Sequence, residues 1–186
     1  STQRDVGADI FYNVTPSLKL TGTINTDFAE TEVDNRQINL TRFPLFFPEK
    51  RSFFLENAGV FNFGAPPGGP GGGNELLPFF SRRIGLSDDA RAIPILGGSR
   101  LTGRVGKVVE IGLLNIQQRE FETINATNFT VGRLRKNIMA NSDIGVMITN
   151  KEVQGSSQYN RAYGADANFR FGRYTNVNSY IAKTST

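Results

Sequence analysis

The chain reads as a series of segments in which apolar and polar residues alternate. Val6, Ala8, Ile10, Tyr12 and Val14 fall on one side of the first segment and Gly7, Asp9 and Asn13 on the other, where Phe11 is the single apolar intruder. A period of two is the signal of a β-strand with two unlike faces. Thr15-Pro16-Ser17 supplies a tight turn. The pattern then resumes, with Leu18, Leu20, Gly22, Ile24 and Phe28 opposite Lys19, Thr21, Thr23, Asn25 and Asp27. Further strands are predicted near 93–105, 108–117, 127–138, 143–150, 161–171 and 175–184. The cleanest sets Tyr163, Ala165, Ala167, Phe169 and Phe171 against Gly164, Asp166, Asn168 and Arg170. Segments 108–117 and 127–138 alternate poorly, so their faces stay open. No convincing helix is visible, although Leu45 to Asn57 has room for a turn or two.

Residues 29–92 break the alternation. Nine of the 15 phenylalanines and six of the eight prolines lie between Phe43 and Phe80, around a Gly/Pro tract at 64–73. A connection this long is rarely neutral in a compact unit, and so much phenylalanine implies packing against something. The other connections sort by length. Those near 15–17, 106–107, 139–142 and 172–174 are short, and those near 118–126 and 151–160 are long. Short turns at one end and long loops at the other mark an outer-membrane barrel. Strands of about 9–11 residues suit a tilted membrane crossing. The expected fold is therefore all-β, an antiparallel up-and-down transmembrane β-barrel. Residues 1–186 form part of that one domain, and 29–92 is an inserted loop that fills or caps the lumen. If the short turns face the periplasm, the first strand here runs inward, and an earlier outward strand is expected. On that reading about eight strands of a larger barrel are visible.

Composition narrows the chemistry. With no His, Cys or Trp, nucleophilic triads, thiolates and conventional zinc or copper sites are excluded. Carboxylates, Lys, Tyr, Ser and Thr remain. The hydrophobic share of 38% is low for a globular domain, but it fits strands of which only every second residue meets lipid. No apolar run approaches the roughly 18 residues of a membrane helix. The net charge of +4 rests on 15 arginines. They are scattered through the strand segments rather than clustered, which argues against a nucleic-acid partner.

Candidate site residues follow. Glu49 and Glu56 are the carboxylates that acid–base work on a glycoside would use. No positioned base or nucleophile accompanies them, so an anchoring role for Pro44, Pro48, Glu49, Lys50 and Arg51 is the stronger reading. Arg82, Arg83, Arg100, Arg104, Arg133 and Arg135 form either an electropositive stripe or a set of cations paired with Asp and Glu across strands. The second is favoured, because acidic residues nearly match basic ones in number. Asp166, Asn168 and Arg170 are expected to line the polar interior. Asp27, Glu30, Glu32 and Asp34 carry oxygen ligands of the kind calcium needs, but their spacing matches no binding loop. No cofactor is expected.

The residues also carry a resemblance. It runs through Thr15-Pro-Ser-Leu-Lys-Leu20, Val33-Asp-Asn-Arg-Gln-Ile-Asn-Leu40, Phe46-Phe-Pro-Glu-Lys-Arg-Ser-Phe-Phe-Leu-Glu56 and Ser81-Arg-Arg-Ile-Gly85. It continues in Pro94-Ile-Leu-Gly-Gly-Ser-Arg-Leu-Thr-Gly103, Val131-Gly-Arg-Leu-Arg135 and Tyr163-Gly-Ala-Asp-Ala-Asn-Phe-Arg-Phe171. Together these resemble the domain of unknown function 5916. The resemblance implies the barrel part of a bacterial outer-membrane protein, commonly downstream of a module similar to family-nine carbohydrate-binding domains. Members are sometimes labelled membrane-associated hydrolases, and no catalytic residues come with that label. The leading expectation is solute or glycan passage or binding, with Glu49, Lys50, Arg51, Arg82, Arg83, Arg100 and Arg104 at a constriction made by 29–92. A glycan-acting hydrolase and a structural barrel presenting a partner module are the alternatives. The expected partners are outer-membrane lipid, a glycan or other small solute, and other envelope proteins.

Overall fold

A computed structural model describes residues 7–25, 49–64, 77–87, 92–139, 141–172 and 174–186. Eight strands form one antiparallel sheet in chain order: β1 (Ala8–Thr15), β2 (Leu18–Ile24), β3 (Ile95–Val105), β4 (Val109–Gln118), β5 (Thr127–Met139), β6 (Ser142–Val153), β7 (Tyr159–Phe171) and β8 (Thr175–Ser185). Each pairs with its sequence neighbour. The short turns therefore gather at one end of the sheet, and the connections 25–94, 119–126 and 154–158 gather at the other. The second strand is described as far as Ile24, after which Asn25 turns the chain with a positive φ of 49°; Phe28, expected in the same strand, lies outside the described residues.

The eight strands, expected from the sequence as a fragment of a larger barrel, do not close into a barrel of their own. Among the described residues β1 pairs only with β2 and β8 only with β7, so the sheet is open. There is a physical reason. An eight-stranded barrel has an interior just wide enough for its own side chains, but one face of this sheet also carries part of the long connection. That insert contains a one-turn helix, α1 (Ser52–Leu55), and 3-10 turns at Ala58–Phe61 and Ser81–Arg83. It touches β2 through Glu56 and β8 through Phe63.

Register assigns every strand residue to one of two faces. The row Tyr12–Leu20–Leu101–Leu113–Gly132–Ile148–Tyr163 lies on the bare face. The adjacent row Phe11–Thr21–Arg100–Leu114–Val131–Thr149–Ala162 lies beneath the insert. The core sits between insert and sheet: Phe53, Phe54, Phe61, Phe63 and Ile84 from the insert pack with Ile95, Leu114, Ile116, Val131 and Met147. Burying each phenylalanine contributes about 1.5–3 kcal/mol relative to exposure. This explains the poor alternation of 108–117 and 127–138. β4 is apolar on both faces where the phenylalanines land, and in β5 the insert face changes from Phe129 and Val131 to Arg133 and Arg135 while the bare face changes from Asn128 and Thr130 to Leu134, so the period of two is lost in both. Phe11, the intruder of the first strand, shares the insert side with Lys19, whose Nζ lies 4.7 Å from its ring centre.

Candidate functional site

The charged residues of the insert form two fastenings. In the first, Arg51 ties the two described stretches of insert together. Its Nε and Nη2 donate to the Glu49 carboxylate at 2.8 and 2.7 Å, its Nη1 to the Ile84 carbonyl at 2.5 Å, and Nη2 also to the Ser81 carbonyl at 2.8 Å. The Ser81 hydroxyl donates to Glu49 at 2.7 Å. The guanidinium lies 4.3 Å from the centre of the Phe54 ring. Burial pushes the Glu49 carboxyl up, but the hydrogen bonds and charge of Arg51, with the Ser81 hydroxyl, outweigh it and hold the group below the usual carboxylate range.

The second fastening joins insert to sheet. Arg100 of β3 donates Nη1 to the Phe53 carbonyl and, at 2.7 Å, to the Glu56 carbonyl, and Nη2 to the Glu56 carboxylate. It thus satisfies carbonyls that a one-turn helix leaves open. Lys19 of β2 reaches the other Glu56 oxygen at 2.5 Å. The Lys19 hydrogen bond, joined by the charge of Arg100, holds the Glu56 carboxyl below its ordinary value despite partial burial. Asn57 donates to the Thr102 hydroxyl at 3.2 Å, and the Gly85 amide to the Gln118 side chain at 3.2 Å.

A third set lies further along the same face. Arg133 of β5 makes a two-pronged ion pair with Asp166 of β7, at 2.5 and 2.8 Å, with both side chains almost wholly buried. The guanidinium crosses β6 over Gly145; a Cβ there would stand 2.6 Å from Nη1, so only glycine leaves the passage open. Asp166 also accepts the Gly64 amide at 3.1 Å, which ties down the end of the 49–64 stretch. Gly112 and Gly164 make room for the insert in the same way. A Cβ would lie 2.7 Å from Val60 at the first and 2.5 Å from Phe63 at the second.

The structure thus brings together Glu49 with Arg51, and Glu56 with Lys19 and Arg100. It puts Arg82 in the interior, leaves Lys50, Arg83 and Arg104 exposed, and gives Arg135 the carboxylate of Glu110. Glu49 and Glu56 are both ionised and engaged by cations, which suits anchors and not a proton-donating acid. Asn168 and Arg170 lie away from the fastenings, on a polar cavity at the short-turn end. Asp27, Glu30, Glu32 and Asp34 lie outside the described residues, among which no cluster of metal-ligating side chains occurs. Sequence reasoning missed Lys19, Thr102, Gln118 and Glu110. Each is an ordinary polar strand residue until register shows what it faces.

An open antiparallel meander, apolar on its bare face and fastened by buried charges to an aromatic insert on the other, defines a class of all-β domain with an internally packed connection. The family model of the domain of unknown function DUF5916 matches residues 1–185, and the chain belongs to that family. No curated protein and no solved structure matches the chain.

Proposed function

We propose that the chain forms wall and filling of a bacterial outer-membrane β-barrel, with the bare face against lipid and the insert narrowing a hydrated interior through which a small solute passes or in which it binds. One observation carries this reading: the distribution of burial is inverted. Ile24, Leu113, Leu134, Val146, Ile148 and Ile181 are 45–74% exposed, whereas Thr21, Thr23, Arg100, Thr102, Arg133 and Asp166 are at most 4% exposed. A large bare apolar surface is costly in water and marks an interaction or membrane face. The sorting of turns and loops supports the same reading. Among the described residues no helix is long and apolar enough to cross a membrane, so crossing would be by strands.

Two measurements test the proposal. The native chain has no Trp, so single tryptophans placed as Ile148→Trp and Thr149→Trp report on each face. In vesicles of brominated phospholipid the first is expected to be quenched and the second not; equal quenching overturns the lipid-facing assignment. In planar bilayers the full-length protein is expected to conduct, and more so without residues 49–64 and 77–87. A silent full-length protein that also takes up no solute overturns passage.

A further inference from the structure

We propose that the cavity at the short-turn end of the insert-bearing face is a binding site for a neutral polyhydroxylated solute, such as one or two rings of a saccharide. The inference rests on the reading of this face as a hydrated interior and assigns it a ligand class and a site. Register builds the site. Asn137 of β5, Asp143 of β6, Asn168 of β7 and Asn178 of β8 stand side by side along one row. Arg170 and Asn176 pair in the row below, and Asn62 and Gly64 of the insert close the cavity above. Its volume is about 290 Å³, near the lower limit of about 300 Å³ for small-molecule pockets. Asn and Asp are depleted in strands, so a row of them across four neighbouring strands is more than strand propensity calls for.

The hydrogen bonds show what the row offers. Asn168 Nδ2 donates to Asp143 Oδ1 at 3.1 Å, Arg170 Nε to Asn176 Oδ1 at 3.0 Å, and the Arg170 amide to the Ser142 hydroxyl at 3.2 Å. These bonds aim the side chains and leave groups over. Among the described residues Asp143 Oδ2, the terminal nitrogens of Arg170 and the side-chain amides of Asn62 and Asn137 have no partner, and Asn168 Oδ1 is shielded from solvent without one. The surplus thus combines carboxylate and amide acceptors with amide and guanidinium donors. Adjacent hydroxyls on a sugar ring each donate and accept, and a pair of them matches a carboxylate or a guanidinium fork. The charges of the described lining residues nearly balance: Asp143 offsets Arg170, and Arg135 is already paired with Glu110. A phosphate site would keep an excess of positive charge.

Calorimetric titration of the full-length protein in detergent micelles tests this, with maltotriose and raffinose as neutral probes and inorganic phosphate and spermidine as charged ones. At least one saccharide is expected to bind and neither ion to compete. Asp143→Ala with Arg170→Ala, and separately Asn176→Ala, are expected to weaken binding at least about tenfold, the loss of one or more good hydrogen bonds, while the far-ultraviolet strand signal stays unchanged. No heat with either saccharide, equal affinity in the variants, or competition by phosphate would overturn the site. Bilayer recording separates this from the passage reading. A protein that conducts but whose current neither saccharide alters sinks the site and keeps passage. One that binds saccharide in micelles yet never conducts keeps the site and sinks passage.

Discussion

The two faces of the sheet are made by the same strands, yet they obey opposite rules. Beneath the insert, threonines, arginines and an aspartate are buried; on the bare face, leucines, isoleucines and valines stand exposed. In a water-soluble sandwich the assignments would be exchanged. What buries a residue here is the insert and not its own hydrophobicity. The insert brings phenylalanine to β4 and β5 and countercharge to Arg100, so a mixed face is satisfied piece by piece. The other face is mainly apolar through its middle and towards the short turns, where it calls for a uniform covering, and it turns polar near the long connections, where Asn115 bonds Asn128 and Thr130 and Arg161 bonds Asn150. Chemical variety on one side and monotony through the middle of the other is what a polypeptide filling and a lipid solvent would each demand.

The comparison can be broken at several points. The largest effect is expected from Asp166→Ala, which strands the Arg133 guanidinium in the interior and frees Gly64. Such losses cost about 3–5 kcal/mol, readable as a lowered denaturation midpoint in detergent. Replacing both partners by Met and Leu should recover most of that, and failure to recover would mean the pair does more than satisfy itself. Next is Ile148→Arg on the bare face. In phospholipid vesicles it is expected to cost about 2–4 kcal/mol if the site lies near the bilayer midplane, against under about 0.5 kcal/mol for an ordinary water-facing position. Urea titration of folding into vesicles distinguishes the two. Gly112→Leu drives a side chain into Val60 and Phe61 and is expected to cost about 1–3 kcal/mol. Because it pushes the insert off the sheet, limited proteolysis should cut within 49–64 before any strand.

The smallest effect concerns pH. Both Glu49 and Glu56 titrate below their ordinary value when docked. Their contribution to docking is therefore complete above about pH 4.3, the usual glutamate value, and is lost as pH falls from there through the lowered values. Pepsin, which works in that range, should cleave the phenylalanine-rich insert increasingly as pH drops. In a Glu56→Gln variant the Lys19 and Arg100 contacts no longer titrate, so the pH dependence should shrink and leave a constant, weaker docking.

Strand positions were legible in the sequence because the period of two survives wherever the faces differ. All eight observed strands start and end close to the alternation, and the breakdown in β4 and β5 marks where the insert packs. The charged residues of the Phe46–Glu56 motif were legible as anchors, but their partners were not. Which strand Arg100 or Asp166 faces depends on register, and register here includes slips near Asn13, Ile95 and Asn137 that no local pattern announces. The width of the interior was not legible for a related reason. Strand count is a one-dimensional quantity, whereas the width of the interior depends on the volume of an insert whose folding cannot be read from its phenylalanines alone. The amide row shows the same limit. Asn168 stood out on its own strand, but Asn137, Asp143 and Asn178 gain meaning only when three ladders align them.

The insert leaves the sheet after Ile24 and returns at Ile95, and those strands are direct neighbours, with Ile24 opposite Gly97. Topologically, then, the whole aromatic filling is a hairpin loop. Loop closure is tolerant of length, since each doubling costs only about 0.6 kcal/mol, so the scaffold and its contents can change independently. Evolution could exchange one filling for another without altering a strand pairing, and a protein engineer could excise it through a single seam. The domain is in this sense a frame with a replaceable cassette, and under the proposed function what it lets through would be rewritten by editing one connection.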